Sequence, residues 1–168
     1  MFGYEKLLVP TDFSSAADEA LSYARELAER LGASQIHLLH TVPTGANPQQ
    51  QSDARRQLER VWPLGQADDL TVSWEVAIGS PAGEIVAAAH RLEADLIEMG
   101  THGRTGLAHM VMGSVAECVL RESPCPVLSV RRGSNLRVDA DRVGQAARLI
   151  SQSRTGCSRW MPMRLARK

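Results

Sequence analysis

The chain has 168 residues, 43% hydrophobic and 23% charged, a balance that favours one water-exposed domain with a real core. Its formal net charge is zero but unevenly placed: residues 1–132 carry 11 Lys/Arg against 17 Asp/Glu, a net of −6, while residues 133–168 carry 8 against 2, a net of +6. An acidic globular part argues against nucleic acid, no segment reaches the ~18–20 apolar residues that span a bilayer, and the start MFGYEKLLVPTDFSS lacks the basic region and long apolar run of a signal peptide.

Lys6–Pro10 (KLLVP) is a short apolar run ended by proline and predicts a buried strand. Ser15 and Asp18 have the spacing of a helix-opening box, and Ala17, Leu21, Ala24, Ala28 and Leu31 follow at helical intervals up to a capping Gly32. Ile36–Val42 (IHLLHTV) predicts the second strand. Residues 43–50 (PTGANPQQ) predict a loop, and residues 51–67 a polar helix with Leu58 and Val61 facing inward. Leu70–Ile78 alternates apolar and polar residues, as a strand with one exposed side does. Ser80 as N-cap and Pro81 at the first helical position open a helix that runs to about Leu92. Asp95–Met99 (DLIEM) predicts a strand, Ser114–Arg121 a helix and Pro126–Val130 (PVLSV) the last strand.

Strands that alternate with helices need crossovers, so the expected fold class is α/β, a parallel sheet covered on both faces. Ligands of such sheets gather outside the carboxyl ends of the strands. Three segments lie at those ends: Pro10-Thr11-Asp12, Thr41-Val42-Pro43 and the loop after Met99.

That last loop reads Gly100-Thr-His-Gly103-Arg-Thr-Gly106-Leu-Ala-His-Met-Val-Met-Gly113-Ser114. Glycine lets a phosphate approach the backbone without meeting a Cβ. The start of the following helix offers unpaired N–H groups and the positive end of its dipole. Neither G-x-x-x-x-G-K-[ST] nor G-x-G-x-x-G occurs in the chain. On loop chemistry alone two readings stand: a phosphate cradle, or a plain connection in which Ser114 and Glu117 form a capping box. Asp12 likewise reads either as a helix cap or, at a strand carboxyl end, as a functional residue.

The pattern Gly-x2-Gly-x9-Gly-Ser (Gly100, Gly103, Gly113, Ser114) resembles the nucleotide-binding signature of the universal stress protein family. VPTDFS (9–14), ADLIEMGTHGRTGL (94–107) and GSVAECVLRESPCPVLSVR (113–131) are similar to its first strand and turn, its fourth strand and loop, and its last helix and strand. The resemblance covers residues 3–132. It implies an open five-stranded parallel sheet in the order 3-2-1-4-5, Rossmann-like and of the adenine nucleotide alpha-hydrolase type, and a homodimer paired through Pro126–Val130. It also implies ATP as ligand. Pro10, Thr11 and Asp12 match first-turn contacts, with Asp12 beside the ribose or an Mg²⁺ or Mn²⁺ ion. Val42, or its neighbour Thr41, matches the adenine contact. Met99 and Gly100 match contacts beneath the ribose and phosphates, and Gly103, Gly113, Ser114 and Val115 match the phosphate cradle. The implied function is that of a dimeric stress-response regulator or sensor acting with a further, unnamed protein. The alternatives are a slow ATPase or autophosphorylating enzyme, and a nucleotide-free dimeric module.

Other residues carry weaker signals. His102 and His109 flank the glycine loop and read either as surface residues or as phosphate contacts, and Arg104 reads either as a partner for a γ-phosphate or as an exposed arginine. His37 and His40 lie in a strand without metal-ligand spacing. The odd set Cys118, Cys125 and Cys157, with no C-x-x-C pair, argues for a reducing, cytoplasmic setting. Residues 133–168 fall outside the resemblance; this basic stretch, with a short amphipathic segment at Val138–Ile150, reads as an extension that is disordered or weakly docked on the acidic domain.

Overall fold

The computed structural model describes residues 4–62, 70–101 and 112–130, all within the compact unit Gly3–Asn135. Gly103, His102, Arg104, His109, Cys157 and the extension 133–168 lie outside the described residues.

The elements follow the expected order: β1 (Lys6–Pro10), α1 (Ser15–Leu31), β2 (Gln35–Val42), α2 (Pro48–Val61), β3 (Thr71–Ile78), α3 (Pro81–Leu92), β4 (Leu96–Gly100), α4 (Ser114–Glu122) and β5 (Val127–Val130). The strands form one parallel sheet in the order β3-β2-β1-β4-β5. The chain therefore starts at the centre, builds outward to β3, and returns across β1 to lay down β4 and β5. Between β1 and β4 the connections diverge in opposite directions, which opens a crevice at the strand carboxyl ends.

Helices cover both faces. Helix α1 packs on β1, β4 and β5, and α2 on β2 and β3. The two touch where the Arg25 guanidinium lies 4.3 Å from the centre of the Trp62 ring and donates to the Val61 carbonyl. On the other face Leu8, Leu39, Ile97 and Met99 of the sheet meet Ile85, Ala88 and Ala89 of α3 and Ala116 and Val119 of α4. Alanines on the buried stripe of α1 (Ala16, Ala17, Ala20, Ala24, Ala28) let that helix lie close to the sheet.

Local chemistry moves three boundaries. Helix α1 is capped by Ser14, whose Oγ accepts the Ala17 N–H, rather than by Ser15. Helix α2 begins at Pro48, inside the segment read as loop, because Asn47 and Gln50 form a capping box with Pro48 at the first turn. Helix α4 is entered at Gly113, which has no side-chain cap bond, so Ser114 is the first helical residue and the Ser114–Glu117 capping box is not formed.

Candidate functional site

The ends of β1, β2 and β4 and the start of α4 enclose a cavity of about 640 Å³. Sites for small molecules span roughly 300–1,000 Å³. Of the ten residues singled out above, nine line it: Pro10, Thr11, Asp12, Val42, Met99, Gly100, Gly113, Ser114 and Val115. The tenth, Gly103, lies outside the described residues.

The floor is the switch point. Gly100 closes β4, and a Cβ built there would stand 3.0 Å from the Ala16 carbonyl oxygen, tighter than nearly all real contacts. Glycine is thus demanded by the approach of α1 to the sheet. Thr101 continues the β5 ladder by donating its N–H to the Val130 carbonyl, and its own carbonyl accepts the Gly113 N–H at 2.7 Å. This bond brings the first turn of α4 to the end of β4. No side chain caps that helix, and Ser114, Val115 and Ala116 of its first turn line the cavity, so its unpaired N–H groups start beside it. A helix start of this kind attracts anions.

The β1–α1 turn forms the next wall. The Thr11 N–H donates to the Leu39 carbonyl, the last rung between β1 and β2. Asp12 accepts the Ser14 N–H at Oδ1, so it shapes the turn and leaves the capping of α1 to Ser14. Phe13 has φ of +60°, a left-handed conformation that costs a bulky residue about 1–2 kcal/mol. Two contacts hold it there: its N–H donates to Thr11 Oγ1, and its ring lies 4.3 Å from that of His40. His40 in turn donates from Nδ1 to the Thr11 carbonyl at 2.8 Å.

Strand β2 runs past the end of β1. The Val42 carbonyl accepts the Gly79 N–H and so belongs to the β3 side. Backbone polar groups alternate along a strand, and Leu39 bonds toward β1, so Thr41 also turns its N–H and carbonyl to the β1 side, beyond the last β1 rung. Of the two adjacent strand positions, Thr41 is the one that presents backbone groups to the crevice.

Sequence reasoning missed the wall made by α2, where Gln50, Asp53 and Gln57 join Ala54 in lining the cavity. The Asn47-Pro48-x-Gln50 capping pattern was the signal that the helix starts early enough to reach it. No Lys or Arg lines the cavity among the described residues, which leaves Asp12 and Asp53 as its charged side chains. No group of three or more His, Cys, Asp or Glu among the described residues is placed to hold a metal ion. A cation at Asp12 would need ligand oxygens from a bound phosphate to complete its shell.

Two polar features lie apart from the cavity. On the α3 side of the sheet His37 shares a hydrogen bond with Ser73 and stands 3.4 Å from Glu75, which also pairs with Arg91. Burial pushes His37 below its ordinary value while Glu75 pulls it up. Glu98 in β4 is fully buried, and neither carboxylate oxygen has a hydrogen-bond partner. Burial pushes its pKa up to about 8, so it is a neutral acid at pH 7. Sequence reading took this position only as part of a strand.

A family model described as the universal stress protein family matches residues 3–131. The chain is 33% identical over 141 residues to a universal stress protein of Methanocaldococcus jannaschii, covering 77% of this chain and 83% of that one. A second protein of that archaeon, 30% identical, has a solved structure that superposes with a TM-score of 0.72, covering 80% of this chain and all of the other. The fold is also shared, at 22% identity and a TM-score of 0.60, with a universal stress protein from Archaeoglobus fulgidus solved in complex with dAMP, covering 76% of this chain and 98% of that one. No helix among the described residues is long and apolar enough to cross a membrane.

Proposed function

The chain belongs to the universal stress protein family, and on that premise we propose that it is a cytoplasmic, dimeric regulator that holds ATP in the cavity between β1, β2, β4 and α4. The observation that carries this reading is the convergence of three separate sequence segments on one cavity beside an uncapped helix start. A relative of the same fold solved with dAMP supports an adenine nucleotide as the ligand class.

In this reading the phosphates rest on the first-turn N–H groups of α4 and the Ser114 hydroxyl, with Gly103 and Gly113 giving the close approach. Asp12 serves the ribose or, through phosphate oxygens, an Mg²⁺ or Mn²⁺ ion. The Thr41 backbone reads the base, with Val42 packing beside it. Met99 and Gly100 form the floor, and Pro10 and Thr11 fix the turn. The cation neutralises phosphate charge, which the described lining does not do with Lys or Arg. The same lack of cationic side chains favours holding over rapid phosphoryl transfer.

The reading assigns dimerisation to β5, the edge strand of the sheet among the described residues, which would pair with a second copy. A regulatory protein partner would read the nucleotide-loaded dimer. Mass spectrometry of the undenatured protein tests nucleotide and dimer together: co-purified adenine nucleotide on a mass of two chains is expected. Protein that neither carries nor binds ATP at millimolar concentration by calorimetry overturns the nucleotide reading.

A further inference from the structure

We propose that His40 is a positioning residue for the nucleotide, holding the β1–α1 turn in the shape that presents Asp12 to the cavity through a hydrogen bond from Nδ1 to the Thr11 carbonyl. The inference rests on the nucleotide reading above and adds a residue with no assigned role in it.

The argument starts from the backbone. Thr11 is buried, with its N–H spent on the Leu39 carbonyl, and the chain then leaves the sheet. A buried carbonyl at such an exit requires a donor. Ser14 satisfies the start of α1 through its side chain and its carbonyl, which accept from Ala17 and Asp18. The Thr11 carbonyl takes its donor from the neighbouring strand instead, from His40 Nδ1 at 2.8 Å. A carbonyl oxygen only accepts, so the proton is on Nδ1, and the tautomer is set by the fold.

The same ring supports the strained residue after Asp12. Phe13 at φ +60° lies against His40 on one side and is bonded to Thr11 Oγ1 on the other. Asp12 sits between the two residues that His40 touches. His40 also lines the cavity, so the element that fixes the turn shares a wall with the ligand it serves. Without the Nδ1 donor, Thr11 loses the bond that orients its peptide plane, and Asp12, the next residue, is released from one conformation.

The δ position of the donor makes the test specific. In His40→Asn the amide nitrogen occupies the place of Nδ1. His40→Gln carries its donor one bond further out, and His40→Phe keeps a ring without a donor. ATP affinity measured by calorimetry is expected to fall about tenfold or more in His40→Phe and His40→Gln and to stay within about threefold of the parent in His40→Asn. Hydrogen exchange of the Ser14 amide, measured without nucleotide, is expected to quicken in the first two and not in the third. Folded His40→Phe protein with parental affinity and parental Ser14 exchange overturns the proposal, as does an equal loss in His40→Asn and His40→Phe. If the parent itself binds no nucleotide, the functional reading fails on that result, and the exchange pattern alone decides the role of His40 in the turn.

Discussion

The Gly113 N–H donates to the Thr101 carbonyl at 2.7 Å, which ties the mouth of α4 to the end of β4 across the whole glycine-rich connection. Gly113 itself has φ −75° and ψ 149°, a conformation open to any residue. Its glycine is therefore not needed for the backbone, and a side chain there tests the ligand. Gly113→Val is expected to fold with a modest loss of Tm, because valine is a poorer N-cap than glycine, and to bind ATP at least about tenfold more weakly, because the isopropyl group stands in the proposed phosphate cradle. Parental affinity in calorimetry would show that phosphates do not approach this turn.

Gly100 poses the opposite case. A Cβ there meets the Ala16 carbonyl oxygen at 3.0 Å, backbone that cannot step aside as a flexible side chain would. Gly100→Ala is expected to destabilise the protein by about 1–3 kcal/mol, the range for overpacking. Denaturant unfolding reads this as a lower midpoint at unchanged slope.

Glu98 gives a pH dependence whose sign is fixed by the direction of its shift. Its carboxyl ordinarily titrates near 4.5 and in the fold near 8. Between those values the folded state holds a proton that the unfolded state has lost, so stability falls as pH rises, by about 1.4 kcal/mol per unit from this group, and levels off above about pH 8. Below about pH 4.5 both states are protonated and the contribution is flat. Glu98→Gln is expected to remove this part of the slope in unfolding measured from pH 5 to 8.5. A slope unchanged by the substitution would mean that water or a partner reaches the carboxyl.

Helix α2 is held at the cavity by its capping box. Asn47→Ala removes the acceptor for the Gln50 N–H and is expected to cost about 1 kcal/mol of stability. Because Gln50 also lines the cavity, the same variant is expected to weaken ATP binding by a few fold. Thermal unfolding and calorimetry separate the two effects.

Asp12 and the cation are tested together. Chelation of divalent metal is expected to weaken ATP binding to the parent several-fold. In Asp12→Asn, affinities with and without Mg²⁺ are expected to converge, since the neutral amide is a poor Mg²⁺ ligand. A full metal effect in Asp12→Asn would place the ion elsewhere.

The element order and the parallel sheet were legible because each rests on short-range patterning, and the family resemblance named nine residues that line the cavity. The run KLLVP, the cap Gly32 and the Ser80-Pro81 start state their structure locally, and strand carboxyl ends follow from order alone. The family resemblance supplied what spacing could not, namely which loop residues to assign to a phosphate. What sequence reading missed depends on tertiary relations. The α2 wall needs the helix to lean over the strand ends, and the buried state of Glu98 needs α1 above it. His37 and His40, three residues apart in a strand, lie on opposite faces of it, one bonded to β3 and one to the β1 turn. Ser114 shows a local rule giving way: its spacing to Glu117 fits a capping box, but the Gly113–Thr101 bond starts the helix one residue sooner than that box requires.

The central position of β1 has a consequence for how the molecule is made. During synthesis β1, β2 and β3 emerge first and can pair as a three-stranded half. β4 then joins β1, and the Asp95 carboxylate accepts the N–H groups of Glu5 and Lys6 from the far end of the domain. The crevice draws one wall from each half and does not exist until the second is in place. A nucleotide bound there would select chains whose sheet is complete, stabilising the finished fold and giving nothing to a truncated or half-assembled one.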